Sequence, residues 1–397
     1  MGRARKVGNE ATVSRRGVRR PGRRVFVVLA SWFALVTLLA APAPAIYNGF
    51  KAPIHTFPWM VSIRLASAPN SHRCGGTLIQ ADVVLTAAHC LYAPGSTKLL
   101  PQNGLVAVVG ADTSQWKSAP RIRVVAFERS TRFNLAASNR DDLAVLRLAV
   151  RISSPTIALA AAEPAAGTHV DTVGWGCTDR PPGCSTAATS LQGAHEVVIT
   201  DASCGPSVFF NPHSYAPTSV CVKGASSSAS IPNSGDSGGP LLVRKASGGY
   251  AEVGVASLGS DDHSKLYEEF TSIPAERAWI RSAIKNLPAR VTNARPLGFV
   301  GSCTFTRAGG SAAGTLVKVV WSPPAPGTGG LPTSYRVSFA FAGTGGTGST
   351  VVPAGQTNFT ECYPNPTRIS FAIAATNQAG NGPQTAMNVC TPGPKQC

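Results

Sequence analysis

The chain has few acidic residues, no long apolar segment and no clustered cysteines, and the cysteine spacing argues against a zinc site. Asp and Glu number 19 against 36 Lys and Arg in 397 residues, a net charge of +17. The apolar run at residues 25–39 is short for a membrane span. No pair of Cys-x-x-Cys motifs exists, and the histidines do not interleave with cysteines at ligand spacing. We therefore expect neither zinc, nor another metal, nor a cofactor.

The first 45 residues have the organisation of a secretion signal. Residues 1–24 carry nine basic residues against one Glu, and the apolar run follows. Ala43 and Ala45 then stand where a signal peptidase requires small residues. We therefore expect cleavage after Ala45 and a secreted, extracellular protein. An uncleaved membrane anchor is the alternative, and Arg23-Arg24 also resembles a twin-arginine export signal.

Removing this segment leaves 27 basic and 18 acidic residues, a net charge of +9. A basic surface can favour acidic polymers such as nucleic acid or cell-wall phosphates. The remaining chain has no basic run with interleaved aromatic residues. We interpret the excess as solvated surface charge and expect no nucleic-acid partner.

Ser237 lies in Gly235-Asp236-Ser237-Gly238-Gly239-Pro240, where three glycines allow a sharp turn of the backbone. A nucleophilic serine needs a histidine to accept its proton and a carboxylate to orient that histidine. Both occur upstream, His89 in Thr-Ala-Ala-His-Cys and Asp142 at the start of Asp-Leu-Ala-Val-Leu. The chain therefore has candidates for a triad in the order His, Asp, Ser. The other histidines are interpreted as surface or loop residues: His55, His72, His169, His195, His213 and His263.

Together these three motifs resemble the trypsin/chymotrypsin family of serine endopeptidases over residues 46–287. From residue 59 to residue 256, short β-rich runs are separated by Gly, Pro, Asn and Asp, which predicts an all-β sandwich or barrel. The resemblance implies two six-stranded antiparallel β-barrels with the triad in the cleft between them. Apolar residues at helical spacing near residues 274–286 match the closing helix of this family.

The resemblance also assigns roles to the motif residues. His89 would be the general base, Asp142 would hold the tautomer of His89, and the backbone N–H groups of Gly235 and Ser237 would form the oxyanion hole. Asp141 is the rival carboxylate, but in a strand its side chain would point to the opposite face.

The segment Ile46-Tyr47-Asn48-Gly49 resembles the Ile-Val-Gly-Gly start of these enzymes. In the family, the new N-terminal ammonium folds inward and pairs with the aspartate that precedes the nucleophile, here Asp236. Because the predicted signal ends at Ala45, we expect export alone to expose Ile46, with no separate propeptide.

The specificity pocket is less clearly marked. With the spacing typical of the family, counting forward from Cys221 places Ser230 at the pocket floor, and counting back from Ser237 places Ile231 there. Pockets that select Arg or Lys have an aspartate at this position. Because neither residue is an aspartate, we expect an uncharged or aromatic substrate side chain. Glu268 and Glu269 belong to the opposite wall and are the alternative source of a preference for basic residues.

The segment Ser257-Leu258-Gly259 resembles the Ser-Trp-Gly segment with which the family pairs extended protein and peptide substrates. Leu258 replaces the tryptophan. Ser257 and Gly259 are therefore candidates for substrate binding.

All ten cysteines lie beyond residue 45, an even number that suits disulfides in an oxidising compartment. The resemblance implies the bridges Cys74–Cys90 and Cys204–Cys221, and Cys177–Cys184 follows by elimination. The bridge that usually flanks the specificity pocket is missing, because Asn233 offers no cysteine. The C-terminal cysteines allow three connectivities: Cys303, Cys362, Cys390 and Cys397.

Residues 288–296 form a polar, proline-bounded segment that we interpret as a linker. Residues 297–397 are rich in Gly, Pro, Ser and Thr and contain β-branched runs. The strings Trp-Ser-Pro-Pro from Trp321 and Ala-Thr-Asn-Gln-Ala-Gly from Ala375 resemble a fibronectin type III domain, a β-sandwich of about this length. Ile369 stands where that family usually has its corner tyrosine. Such a module could bind a cell-surface or wall polymer.

These patterns predict a secreted serine endopeptidase that acts on protein or peptide substrates. Two other hypotheses stay open: a protease-shaped binding protein that has lost catalysis, and an adhesive function in the C-terminal module. The presence of all three triad residues favours the enzyme.

Overall fold

The computed structural model describes residues 46–135, 141–179, 184–200, 218–225, 230–259, 267–307, 310–325, 329–342, 346–364 and 368–390. The predicted signal, Cys204, His213, His263 and Cys397 lie outside these residues. The described strands are β1 (Phe50–Lys51), β2 (Met60–Leu65), β3 (Cys74–Gln80), β4 (Val83–Thr86), β5 (Leu105–Val109), β6 (Ile122–Arg129), β7 (Ala144–Leu148), β8 (Ala158–Leu159), β9 (His169–Gly174), β10 (Gln192–Val198), β11 (Ser219–Gly224), β12 (Pro240–Arg244), β13 (Tyr250–Gly259), β14 (Tyr267–Ser272), β15 (Thr292–Arg307), β16 (Gly310–Ser322), β17 (Ser334–Phe341), β18 (Thr347–Pro353), β19 (Asn358–Pro364), β20 (Arg368–Asn377), β21 (Gly380–Asn381) and β22 (Thr385–Cys390). Helix α1 spans Ile273–Asn286, and short 3-10 turns span Ile54–Thr56, Ala88–Leu91 and Thr113–Gln115.

Six antiparallel strands of the N-terminal half close into a barrel. Their order is β2-β3-β4-β7-β6-β5, and β5 pairs back with β2. The strands are largely apolar, and Leu78, Val84, Leu85 and Leu146 are fully buried. Burying a side chain of this size stabilises the fold by about 1.5–3 kcal/mol. The apolar runs seen in the sequence therefore form the core of this barrel.

A second antiparallel barrel follows, with the order β9-β10-β11-β14-β13-β12 and closure from β12 to β9. Its core includes Val170, Val222, Leu241, Val253 and Phe270. The prediction of two six-stranded antiparallel barrels is confirmed.

Helix α1 begins directly after the last strand of the second barrel. Ser272 caps it, because its Oγ accepts the Ala275 N–H at 3.2 Å, and Pro274 occupies the first turn, where a missing N–H costs nothing. Ile280 and Ala283 are buried on one face. The predicted closing helix is confirmed. No helix among the described residues is long and apolar enough to cross a membrane.

The C-terminal strands form two sheets that share one core. One sheet has the order β15-β16-β19, and the other places β18, β17, β20 and β22 side by side. Trp321, Tyr335 and Tyr363 pack between the sheets, and the Trp321 and Tyr335 rings meet edge-on at 5.3 Å. The disulfide Cys303–Cys362 joins β15 to β19.

Backbone pairing attaches these C-terminal strands to the first barrel. In β21, Gly380 pairs with Ala126 of β6, and the Phe127 N–H donates to the Ala379 carbonyl at 3.1 Å. Because β21 also pairs with β20, a hydrogen-bonded sheet runs from the barrel into the C-terminal module.

The segment before the module contributes to the same attachment. β15 begins at Thr292, inside the segment 288–296 that we interpreted as a linker, and Val291 is buried. Arg290 Nη2 donates to the Ala149 carbonyl at 3.2 Å. The described part of this segment is therefore packed against the barrel and the module.

We expect Gly380→Ala to weaken this attachment. Gly380 has a φ of +130°, and a Cβ there would lie 2.8 Å from the Val125 carbonyl oxygen. Such strain costs about 1–3 kcal/mol, so the melting temperature should fall and limited proteolysis near residues 288–291 should accelerate. Gly355→Ala is the matched control, because an added Cβ there meets no atom within 4 Å. Equal melting temperatures for the two variants would contradict a role for this contact.

Candidate active site

His89 and Asp142 meet at one end of the first barrel. His89 lies on the 3-10 turn after β4, and Asp142 lies just before β7. Since Thr86 of β4 is paired with Ala144 of β7, the residues beyond these two strand ends come together. His89 Nδ1 is 2.6 Å from Asp142 Oδ2, and the His89 backbone N–H donates to Asp142 Oδ1 at 2.9 Å.

The buried Asp142 carboxylate receives a third hydrogen bond from the second barrel, because Ser257 Oγ donates to its Oδ2 at 2.8 Å. A carboxylate that accepts the Nδ1 proton leaves Nε2 of the same ring free to accept another proton. The His89 side chain remains 22% exposed. The His89 imidazole is therefore held at Nδ1 by Asp142, and the ring remains accessible to a reactant.

Asp141, the rival carboxylate, belongs to a different network. Its φ is +53°, so it does not have the strand conformation from which we predicted its direction. Arg132 Nε is 3.1 Å from Asp141 Oδ2, and the same guanidinium pairs with Glu276 of α1. Asp141 is therefore engaged with Arg132 and the helix.

The segment around Ser237 is anchored to one strand of each barrel. The Gly75 N–H of β3 donates to the Ser237 carbonyl at 2.8 Å, and the Gly238 N–H donates to the Ala256 carbonyl of β13 at 2.8 Å. Gly238 has a φ of +79°, and a Cβ there would lie 2.6 Å from the Gly75 carbonyl oxygen. The glycine after the serine is thus required by both backbone conformation and close approach.

His72 supports Gly235, a contact that sequence analysis missed. We interpreted His72 as a surface or loop residue, and it does lie in the loop before β3. However, its Nε2 is 2.9 Å from the Gly235 carbonyl oxygen, and its Nδ1 is 2.8 Å from Ser62 Oγ. Arg64 Nε donates to Ser62 Oγ at 3.0 Å. No local motif indicates this chain of bonds, because Gly235 is 163 residues away from His72.

Burial lowers the pKa of His72 to about 4, the hydrogen bond to Gly235 opposes that shift, and the charge of Arg64 adds to it. The imidazole is therefore neutral at physiological pH. Since the Gly235 carbonyl can only accept, Nε2 carries the proton and Nδ1 accepts from Ser62. This tautomer fixes the peptide that follows Gly235.

Asp236 is buried next to the candidate nucleophile. Its Oδ1 accepts the Gly176 N–H at 2.7 Å, and its Oδ2 accepts the Asn233 N–H at 2.9 Å. Burial raises the pKa of Asp236 to about 7, although both backbone bonds oppose the shift. Ile46 is fully buried, and its neighbour Tyr47 pairs with Ile231 in an isolated bridge. The start of the domain therefore lies against the segment that leads to Asp236.

The residues predicted to line the specificity pocket come from two segments, the stretch before the nucleophile and the end of β13 with its partner strand β14. Ile231 is fully buried and Ser230 is half-buried. Gly259, at the end of the strand that carries Ser257, is paired with Glu268 of β14. Glu268 is buried, and its pKa is raised well above the ordinary carboxyl value by burial and by the charges of Glu196 and Asp236.

Glu196 is a second buried acid in this region that sequence analysis did not identify. It is fully buried on β10, and neither of its carboxylate oxygens has a hydrogen-bond partner among the described residues. Burial and the charges of Asp171 and Asp236 raise its pKa well above the ordinary value. A glutamate inside a β-rich run carries no motif, so its position became evident only in the folded barrel.

An open cavity of about 450 Å³ lies beside His89. Its lining includes Arg73, Tyr92, Leu135 and Ser257. The cavity adjoins the accessible imidazole and is large enough to receive a side chain of an extended peptide.

Two of the expected disulfides are present, Cys74–Cys90, which joins β3 to the turn carrying His89, and Cys177–Cys184. Cys221 is also disulfide-bonded, and its expected partner lies outside the described residues. Among the described residues, the potential metal ligands that cluster are Cys74, His89 and Cys90. Because both sulfurs form the disulfide, they are not thiolate ligands.

The fold is a pair of six-stranded β-barrels, with His89 and Asp142 hydrogen-bonded at one end of the first barrel. The trypsin family model matches residues 46–280. Trypsin alpha of Drosophila erecta and trypsin alpha of Drosophila melanogaster are each 30% identical over 242 residues, which cover 60% of this chain and 85% of each relative. Trypsin alpha-4 of Lucilia cuprina is 29% identical over 248 residues, 61% of this chain and 88% of the relative.

The chain belongs to the trypsin family and is a trypsin-like serine endopeptidase.

Proposed function

We propose that this protein is a secreted endopeptidase whose catalytic triad is His89, Asp142 and Ser237. The observation that supports this most directly is the double hydrogen bond from His89 to the buried Asp142. A protease-shaped binding protein would not need a histidine oriented in this way. Protein and peptide chains are the substrates of this chemistry.

In the proposed mechanism, Ser237 Oγ attacks the carbonyl carbon of the scissile peptide while His89 Nε2 accepts the serine proton. The tetrahedral intermediate collapses as His89 gives that proton to the leaving amine, and an acyl ester remains on Ser237. Water then attacks the ester by the same steps. The backbone N–H groups of Gly235 and Ser237 stabilise the oxyanion, and the neutral His72 holds the Gly235 carbonyl in place.

We expect Ser237→Ala to remain folded and to lose peptidase activity by a factor of about 10⁶ in kcat, because only the activated serine forms the acyl ester. Asp142→Asn should lose about 10⁴, since the amide removes the negative charge and can donate to Nδ1, which favours the wrong tautomer of His89. Hydrolysis of a casein or peptide substrate measures both. Ser118→Ala, which changes an exposed serine distant from Ser237 in the chain, is the control and should keep full activity. Substantial activity in Ser237→Ala would exclude this assignment.

We also propose that cleavage after Ala45 creates the active form. The new Ile46 ammonium would pair with Asp236, an interaction that the buried carboxylate can accept. Support comes from two observations: Asp236 is bonded to two neutral backbone N–H groups, and its pKa is raised to about 7 by burial. A buried carboxylate of this kind is stabilised by a cation.

A variant that keeps Ala45 ahead of Ile46 should be nearly inactive. In that form Asp236 has no ammonium partner, and a carboxyl whose pKa rises from 3.8 to about 7 on folding destabilises the protein as pH increases across that interval. The loss is about 1.4 kcal/mol per unit of pKa shift. Denaturant unfolding at several pH values measures it. Removal of Ala45 by an aminopeptidase should restore activity and flatten the pH dependence. Full activity in protein that starts before Ile46 would contradict this activation step.

For the substrate side chain that enters the specificity pocket, we propose a preference for aromatic or large apolar residues. Ser230 and Ile231 carry no charge, and the raised pKa of Glu268 favours its neutral form. A neutral Glu268 cannot pair with a charged substrate side chain, so the pocket should accept uncharged substrate side chains more readily than Arg or Lys. This preference rests on the sequence position of Ser230 and Ile231 in the pocket floor.

We expect the preference to depend on pH. As pH rises through the raised pKa of Glu268, the carboxylate forms, and cleavage after Arg should increase relative to cleavage after Phe. The ratio of kcat/KM for two matched peptides measures this, and Glu268→Gln should abolish the change. Glu269→Gln is the control, because the Glu269 carboxylate accepts a bond from Ser219. A strong preference for Arg at every pH that is lost in Glu268→Gln would show that Glu268 is permanently charged, and would contradict the proposed preference for apolar residues.

We infer further that residues 297–397 are a fibronectin type III-like module. The three-strand and four-strand sheets and the edge-on packing of Trp321 on Tyr335 support this.

A further inference from the structure

We propose that a cavity between the first barrel, helix α1 and the C-terminal module binds the phosphate or sulfate group of an anionic ligand. The cavity has a volume of about 380 Å³. Its charged lining residues are Asp82, Arg147, Arg151, Lys285 and Arg290. Four cations therefore surround the space with one carboxylate, and that carboxylate is already paired.

Arg147 provides the main argument for an anion. Its side chain is only 4% exposed, and its Nη1 donates to Asp82 Oδ1 at 3.0 Å. Its Nε and Nη2 atoms are buried and have no hydrogen-bond partner among the described residues. A buried donor without an acceptor costs about 1–3 kcal/mol, and more when it is charged. Arg147 also lines the cavity, so an anion that reached this edge of the guanidinium from the cavity would remove that cost.

The charge of the cavity favours a dianion over a singly charged carboxylate, because four cations line it with one carboxylate that is already paired. A guanidinium edge binds two oxygens of a phosphate or sulfate in parallel. Arg151 and Lys285 are exposed at the cavity, and neither forms an ion pair within the described residues. Burial lowers the pKa of Arg147, Asp82 opposes this shift, and Arg151 adds to it. A divalent anion would offset the repulsion between these two arginines.

The lining residues come from three parts of the chain. Gln80 and Arg147 belong to the first barrel, Lys285 to helix α1, and Thr292 to the first strand of the module. Arg290, between helix and module, is already bonded to the carbonyls of Ala149 and Gln384. A bound anion would therefore neutralise the unpaired cations and would also stabilise the attachment of the module to the barrel.

The volume of the cavity exceeds that of a single phosphate, so the ligand has room for the group to which the anion is attached.

Isothermal titration calorimetry of the full-length secreted protein tests the proposal, with inorganic phosphate, inorganic sulfate and acetate titrated at constant ionic strength. We expect saturable binding of phosphate or sulfate at one site, with acetate at least about 10-fold weaker. Binding of both dianions indicates recognition of charge and shape, and binding of phosphate alone indicates a phosphorylated ligand. Acetate binding as tight as that of the dianions, or no saturable binding, would overturn the proposal.

Two variants localise the site. Arg151→Gln combined with Lys285→Gln should weaken binding by about 10-fold or more, since it removes the two unpaired cations. Arg281→Gln combined with Lys245→Gln removes the same charge from exposed positions outside the cavity and should leave the affinity unchanged. An equal loss in both pairs would show that net charge alone is responsible and would overturn the site.

Arg147→Lys provides an independent readout. A lysine can keep the pairing with Asp82 but lacks the second donor edge, so the variant should stay folded by circular dichroism and lose affinity for the dianion. Thermal unfolding with and without phosphate should then show a smaller stabilisation than in the unmodified chain. Unchanged affinity in Arg147→Lys would contradict the role of the unpaired guanidinium edge.

Discussion

The buried carboxylate of Asp142 is the constraint on which the candidate site depends. A carboxylate removed from water is destabilising by several kcal/mol unless donors surround it. Here the ring and the backbone N–H of His89 supply two donors, and Ser257 of the second barrel supplies the third. Satisfying this one charge therefore orients the imidazole and also couples the two barrels. The pairing of β4 with β7 makes the arrangement possible, because it brings both strand ends together.

A second buried carboxylate organises the other side of the site. Asp236 lies next to Ser237 and is bonded to the backbone at Gly176 and Asn233. The adjacent Gly235 carbonyl is held by His72, whose neutral ring is in turn fixed by Ser62. The backbone that would stabilise the oxyanion is thus supported from two directions. The raised pKa of Asp236 explains why a new ammonium nearby would change both stability and activity.

Local sequence patterns were sufficient for the elements whose causes are local. Apolar runs such as residues 83–85 and 144–148 formed barrel strands, and the apolar spacing near residues 274–286 formed the helix. The relation of His72 to Gly235 could not be predicted, because its partners are brought together only by the closed barrel. Glu196 carried no signal for the same reason.

The attachment of the C-terminal module was also beyond sequence reasoning. It depends on β21, a strand of two residues, and on burial of part of a segment that we interpreted as a polar linker. A strand of two residues has no periodicity from which a pairing partner can be inferred. Asp141 shows a related limit: its separation from Asp142 was expected from strand alternation but comes from a left-handed backbone and from Arg132.

The most direct test of the central claim is to trap the acyl-enzyme. The enzyme is mixed with a reactive ester substrate, quenched in acid during the first turnover and mapped by mass spectrometry. The account predicts one acyl group, carried by the peptide that contains Ser237. Turnover without an acylated peptide, or an acyl group on another residue, would contradict a mechanism in which Ser237 is the nucleophile.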